Sequence, residues 1–205
     1  AVLDVCRAEG AWALLNEQLS VLAKRRSQMQ RVIARMVQQA SEYVEDAPSL
    51  DERVALLEVL REVSEGRIYV ETERARLTRT LATIREDAGD VDAAWALLEE
   101  CQVETYASME KREKAEFLLE QIRVCLLRSD YARAFIVSKK VSRKVLDDDD
   151  MADVKLAFFG HLSRCHEHDE EWIELCRDHR AMCDAAEAEA KRKGGKGEAD
   201  ADVAE

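Results

Sequence analysis

Apolar residues along this chain fall into stripes with helical spacing. The clearest lies between residues 63 and 90, where Val70, Leu77, Leu81, Ile84 and Ala88 recur at steps of 7, 4, 3 and 4, flanked by Ala75 and Ala82. Such steps trace one face of a helix with 3.6 residues per turn. The opposite face carries Glu71, Glu73, Arg74, Arg76, Arg79, Arg85 and Glu86, and is expected to meet solvent or a partner. A second stripe, Ala115, Leu118, Leu119, Ile122, Cys125 and Leu126, predicts a helix from Met109 to about Arg128 with Ser108 as its N-cap. A third, Val154, Phe158, Leu162 and Cys165, predicts a helix capped by Asp150.

Turn signals punctuate these stripes at a regular interval. Glu9-Gly10, Ala47-Pro48, Gly89-Asp90, Ser129-Asp130 and His168-Asp169 each precede an amphipathic run, and from residue 10 the steps to 48, 89, 129 and 168 are 38, 41, 40 and 39. Three of the runs carry a tryptophan near their start, Trp12, Trp95 and Trp172, read as repeat-core residues. At Gly89-Asp90 the glycine suits a left-handed helix end and the aspartate suits the cap of the next helix. A helical hairpin of about 40 residues cannot close a core alone, and a stack of hairpins can. The expected fold is therefore all-α, a right-handed solenoid of stacked antiparallel helical hairpins of tetratricopeptide-like type, over residues 1–190. Beyond about Ala185 the composition reduces to Ala, Glu, Lys, Gly and Asp, and residues 191–205 are expected to form a disordered charged tail.

Composition supports this reading. The chain has 205 residues, 47% hydrophobic and 36% charged, with one proline and seven glycines, so it can bury a core and has few helix breakers. Its net charge of −12 argues against non-specific nucleic-acid binding. No apolar run approaches the roughly 18 residues that a membrane helix needs, and no signal-peptide pattern opens the chain. The six cysteines are then expected to be reduced and mostly buried in an intracellular protein. The chain opens on Ala in mid-helix pattern, as a fragment of something longer would.

Candidate chemistry is sparse. Cys165 with His168 and Cys176 with His179 repeat a C-x-x-H spacing, with His166 and Cys183 nearby, and these are zinc-type ligands. A turn near 168 puts His179 about 16 Å up the second helix, too far for four donors to converge. Packed thiols and surface imidazoles are the favoured reading, and a zinc-binding helical protein is the alternative of a different class. The run Asp147 to Asp150 lacks the glycine turn and spaced glutamate of a calcium loop. No catalytic residue, cofactor site or metal site is assigned. Lys24, Arg25 and Arg26 form a local reversal of sign in an acidic chain, either a solvated helix end or a patch for an acidic partner surface. On the residues alone this is an intracellular helical-repeat protein that binds other proteins.

Several stretches carry a resemblance that goes further. They are LAKRRSQ at 22–28, MVQQ at 36–39, EGRIYVETERARLTRTLATI at 65–84, GDVDAA at 89–94, QVETYASMEKREKAEFLLEQIRVCL at 102–126 and DYARAFIVSKK at 130–140. In order and spacing they resemble the family of regulatory-particle non-ATPase subunit 5 of the 26S proteasome lid, from about Trp12 to Arg143. Subunit 4 of the COP9 signalosome is a weaker relative, less similar over 102–126. The resemblance implies a non-catalytic scaffold in ubiquitin-dependent proteolysis, in cytoplasm and nucleus, with an N-terminal solenoid arm followed by a PCI domain that this sequence lacks. The implied partners are other lid subunits, the deubiquitinase subunit, the ATPase ring and the outer ring of the core particle. The family offers no catalytic residues to carry over.

Overall fold

The computed structural model describes residues 2–25, 28–148 and 150–201, with side chains through Lys191. Every element among them is helical: α1 (Val2–Ala8), α2 (Trp12–Lys24), α3 (Gln30–Glu42), α4 (Leu50–Ser64), α5 (Glu71–Asp87), α6 (Val91–Glu99), α7 (Lys111–Leu127), α8 (Tyr131–Ser138), α9 (Arg143–Leu146), α10 (Ala152–His168) and α11 (Trp172–Ala201), with short 3-10 turns at Val44–Asp46, Ile68–Val70 and Val103–Thr105. The chain divides into two compact units, Ala1–Ser108 and Met109–Glu205.

One turn recurs in both units. Gly10, Gly89, Ser129 and Glu170 all adopt a left-handed backbone, with φ of 66, 84, 57 and 57°. At each, the following amide closes back on the carbonyl five residues earlier: Ala11 on Cys6 at 2.8 Å, Asp90 on Arg85 at 2.9 Å, Asp130 on Cys125 at 2.9 Å and Glu171 on His166 at 2.8 Å. These are Schellman closures, which satisfy carbonyls a helix end otherwise leaves open. Asp90 and Asp130 then cap the next helix by accepting from the amides of Ala93 and Arg133. The chain thus reverses within a few residues, and α1/α2, α5/α6, α7/α8 and α10/α11 become hairpins. At the remaining turn signal the structure uses a different device. No left-handed residue sits at 47–48; a 3-10 turn ends at Asp46, and Ser49 caps α4 by accepting from the Glu52 amide while its hydroxyl donates to the Glu52 carboxylate.

The unit Ala1–Ser108 centres on Leu15, Leu19, Val37, Leu56, Leu57 and Leu60, all fully buried. The stripe on α5 is core as expected at Val70, Ala75, Leu77, Leu81 and Ala82; Ile84 is half-buried, and Ala88 is exposed because it ends the helix beside the turn. Thr72 and Thr78 are also buried, since α5 packs against both α4 and α6 and needs two faces rather than one. The unit Met109–Glu205 centres on α7, buried nearly all round at Phe117, Leu118, Ile122, Val124, Cys125 and Leu126, and on α10, buried at Val154, Phe158, Leu162 and Cys165.

Three local expectations are corrected. Ser108 does not cap α7: the helix starts at Lys111 after Glu110, and the Ser108 hydroxyl lies 2.9 Å from that of Thr72. Met151 rather than Asp150 precedes α10, without a side-chain cap, and the Asp150 carbonyl accepts from Arg112 instead. Trp172 is 58% exposed, whereas Trp12 and Trp95 are buried, because Trp172 opens the last helix and no later hairpin among the described residues covers it. The backbone of 191–201 continues α11. Residues 202–205 lie outside the described residues.

The turn geometry generates a paired prediction. Glu170 holds a left-handed backbone without being glycine, so Glu170→Gly should raise stability by about 0.5–1 kcal/mol, and Gly89→Val should lower it by at least about 1 kcal/mol. Urea denaturation checks both, and shifts of the same sign would contradict the shared turn.

Candidate functional site

Of the three consecutive cations, Lys24 is the last residue of α2, with its Nζ 3.3 Å from Glu62 of α4. Both side chains are more than half exposed, so the pair contributes little to stability while lowering the positive field of the patch. Arg25 follows as an exposed, extended C-cap whose amide donates to the Leu22 carbonyl. Arg26 lies outside the described residues.

The charged face of α5 is less open than its sequence suggests. Arg74 lies inward: its Nη2 donates to Glu100 at 2.9 Å and its Nη1 to the Arg61 carbonyl at 2.7 Å. Arg61 donates to the same Glu100 oxygen at 2.8 Å and to Thr78 at 3.0 Å. The arginine side chains are only 13% and 17% exposed. One carboxylate after α6 thus holds two cations from α4 and α5, and charge-assisted bonds of this kind also fix geometry. Beside them burial pushes the Cys101 thiol up, and burial followed by the Cys101 thiol pushes Tyr106 up to about 12. Both groups stay neutral at physiological pH. A period-based reading of α5 missed this, because the partner carboxylate lies on another helix.

The Cys/His set is not gathered. Cys165 is buried in α10, where desolvation pushes its thiol up to about 11. His168 is exposed, stacks on Tyr131 with ring centroids 3.9 Å apart and faces Asp169 at 2.8 Å. Cys176, His179 and Cys183 lie exposed along α11. Among the described residues no group of three or more His, Cys, Asp or Glu side chains is placed to hold a metal ion. Asp147 pairs with Lys155 at 2.6 Å, and Asp149 lies outside the described residues. His166 corrects the expectation of surface imidazoles: it is 6% exposed, with its Nδ1 2.6 Å from Asp178 of α11 and its Nε2 3.7 Å from Glu171. Burial pushes the Asp178 carboxyl up, opposed by its bond to His166. The geometry of this pair is that of a tie between α10 and α11.

Comparison with known proteins decides the family. The family described as PSMD12/CSN4, N-terminal, matches residues 1–191. The chain belongs to this family. It is 39% identical over 188 residues to 26S proteasome non-ATPase regulatory subunit 12 of Dictyostelium discoideum, covering 92% of this chain and 42% of that protein. Homolog A of that subunit in Arabidopsis thaliana is 38% identical, over 89% of this chain and 47% of its own length. The Saccharomyces cerevisiae 26S proteasome regulatory subunit RPN5 is 36% identical, over 86% and 40%. The PSMD12/CSN4 chain described here therefore corresponds to the N-terminal region of the PSMD12/RPN5 subunits and spans less than half the length of these relatives. Two solved structures share the fold at low identity: BtubC from P. vanneervenii, with a TM-score of 0.55, 14% identity and coverage of 94% of this chain and 78% of that one, and a kinesin light chain of Podosopora anserina with nearly identical TPR-like repeats, with a TM-score of 0.54, 16% identity and coverage of 93% of each. The fold is thus a TPR-like helical repeat.

Burial sorts the cysteines, and at Cys101 and Cys165 it also pushes the thiol up. Brief treatment with iodoacetamide at neutral pH should modify Cys176 and Cys183 and spare Cys6, Cys101, Cys125 and Cys165 until the protein is unfolded. Peptide mass mapping reads the result, and early labelling of Cys101 or Cys165 would contradict the packing.

Proposed function

We propose that this chain is the N-terminal arm of a non-catalytic scaffold subunit of the proteasome 19S regulatory-particle lid. The supporting observation is the match over residues 1–191 together with relatives that are named proteasome regulatory subunits. In this reading residues 1–190 form the arm and 191–205 a charged tail. The arm positions neighbours for ubiquitin-dependent degradation. Its partners are other lid subunits, the deubiquitinase subunit, the ATPase ring and the outer ring of the core particle, in cytoplasm and nucleus. Scaffold function needs surfaces held at fixed separations, and the shared Glu100 bonds and repeated Schellman turns supply such rigidity within each unit. No helix among the described residues is long and apolar enough to cross a membrane, and the net charge of −12 favours protein over nucleic-acid partners. A signalosome scaffold is the second reading, because the matching family spans PSMD12 and CSN4.

Within the proposal Lys24, Arg25 and Arg26 contact an acidic partner surface. Full-length subunit carrying Lys24→Glu, Arg25→Glu and Arg26→Glu should fold normally, exposed changes usually staying within about 0.5 kcal/mol. It should enter the lid more slowly, with an altered salt dependence. Affinity purification from cells at low and moderate salt measures this. Wild-type subunit that co-purifies with the signalosome and not the lid would overturn the lid reading, and equal incorporation of the variant would remove the patch from the interface.

A further inference from the structure

The first unit has an open groove that the described side chains leave unfilled. It lies among α1, α2 and α3, with a volume of about 420 Å³, in the range of built ligand sites. Leu3, Leu22, Ile33 and Met36 contribute to its floor, and Val2 and Val32 line it while remaining 55% and 43% exposed. On α3 two arginines, Arg31 and Arg35, border it one turn apart, both exposed. Among the described residues neither is ion-paired, in contrast to Lys24 with Glu62, Arg53 with Glu45 and Arg85 with Glu58. The α3 sequence has no acidic residue before its final Glu42. Of the carboxylates around α3, Asp4 is engaged by Gln39 and the Tyr43 hydroxyl, both at 2.6 Å, and Glu42, Glu45 and Glu73 line a separate groove that Arg35 also borders.

We propose that this groove is a docking site for an acidic amphipathic helix of a protein partner. The inference deepens the scaffold reading and rests on it. Charge complementarity selects the occupant: two unpaired guanidinium groups in a chain of net charge −12 flank an aliphatic floor, and guanidinium takes carboxylates in bidentate fashion. The lining positions from Arg31 to Gln39 on α3 span about 12 Å, about two turns of a helix lying alongside. Recognition of this kind places apolar anchors at i, i+3 or i+4, and i+7 into the floor, and carboxylates flanking them reach Arg31 and Arg35. A nucleic acid does not suit the site, because the floor is aliphatic and offers no aromatic face for base stacking.

The test uses the 205-residue chain and two fluorescein-labelled synthetic helices of about four turns, identical in a leucine stripe and differing in flanks of Glu or of Lys. Fluorescence anisotropy should show saturable binding of the Glu helix, with the Lys helix at least about tenfold weaker. Arg31→Glu with Arg35→Glu should reverse that preference, and Val32→Asp should weaken both, with circular dichroism confirming that each variant folds. Equal binding of the two helices, a preference unchanged in the double arginine variant, or no binding of the Glu helix up to about millimolar concentration (−4.1 kcal/mol) would overturn the proposal. Sedimentation showing a dimer that the arginine variant dissolves would overturn it too, by placing a second copy in the groove. Failure of the lid reading is a separate result: a subunit absent from the lid whose chain still selects the Glu helix contradicts the scaffold assignment and leaves the groove standing.

Discussion

A helix that ends in a tight reversal must close its last carbonyls within the turn, and this requirement shapes both compact units. The answer is the same at Gly10, Gly89, Ser129 and Glu170: one left-handed residue, and an amide bonded back to the carbonyl five residues earlier. Once the reversal is that short, the two helices of a hairpin lie against each other and their apolar stripes must share a seam. Burial of Leu81 on α5 and of Leu98 on α6, each about 1% exposed, follows from the turn at Gly89 between them. At Ser129 and Glu170 the same geometry is held by residues with a Cβ, whose local strain of about 1 kcal/mol is offset by the packing of α7, α8, α10 and α11.

Polar groups refine what the apolar seams assemble. Glu100 ties Arg61 and Arg74, fixing α4 and α5 against the end of α6. In the second unit the buried His166–Asp178 contact fixes α10 against α11. Such groups contribute modestly to stability once their desolvation is counted, but they admit one relative placement of the helices. The scaffold function proposed above would use that uniqueness to hold surfaces in place.

Features set by neighbouring positions in the chain were legible from the sequence. The α5, α7 and α10 stripes and the Gly89-Asp90 turn depend on residues within a few positions of one another, and the interval of about 40 residues follows from them. Features set by a distant element were not. Arg74 reads as a solvent residue because Glu100 lies 26 positions away, and His166 reads as a surface imidazole because Asp178 is on the next helix. Ser108 has good cap chemistry, yet its hydroxyl meets Thr72. Trp172 opens its helix as Trp12 opens α2, yet it is exposed because no later hairpin among the described residues covers it. The candidate surface divides the same way: Lys24 and Arg25 stand out as consecutive cations, whereas the Arg31 and Arg35 groove emerges only when α1 and α2 are placed beside α3.

The central claim is that this arm contacts neighbouring subunits within an assembled regulatory particle. Crosslinking mass spectrometry of intact particles with a lysine-reactive reagent tests it most directly, since Lys24, Lys111, Lys114, Lys139 and Lys155 distribute reactive amines over both units. The account predicts recurrent crosslinks from these lysines to other lid subunits. Particles in which the arm is present and its lysines crosslink only within their own chain would contradict it.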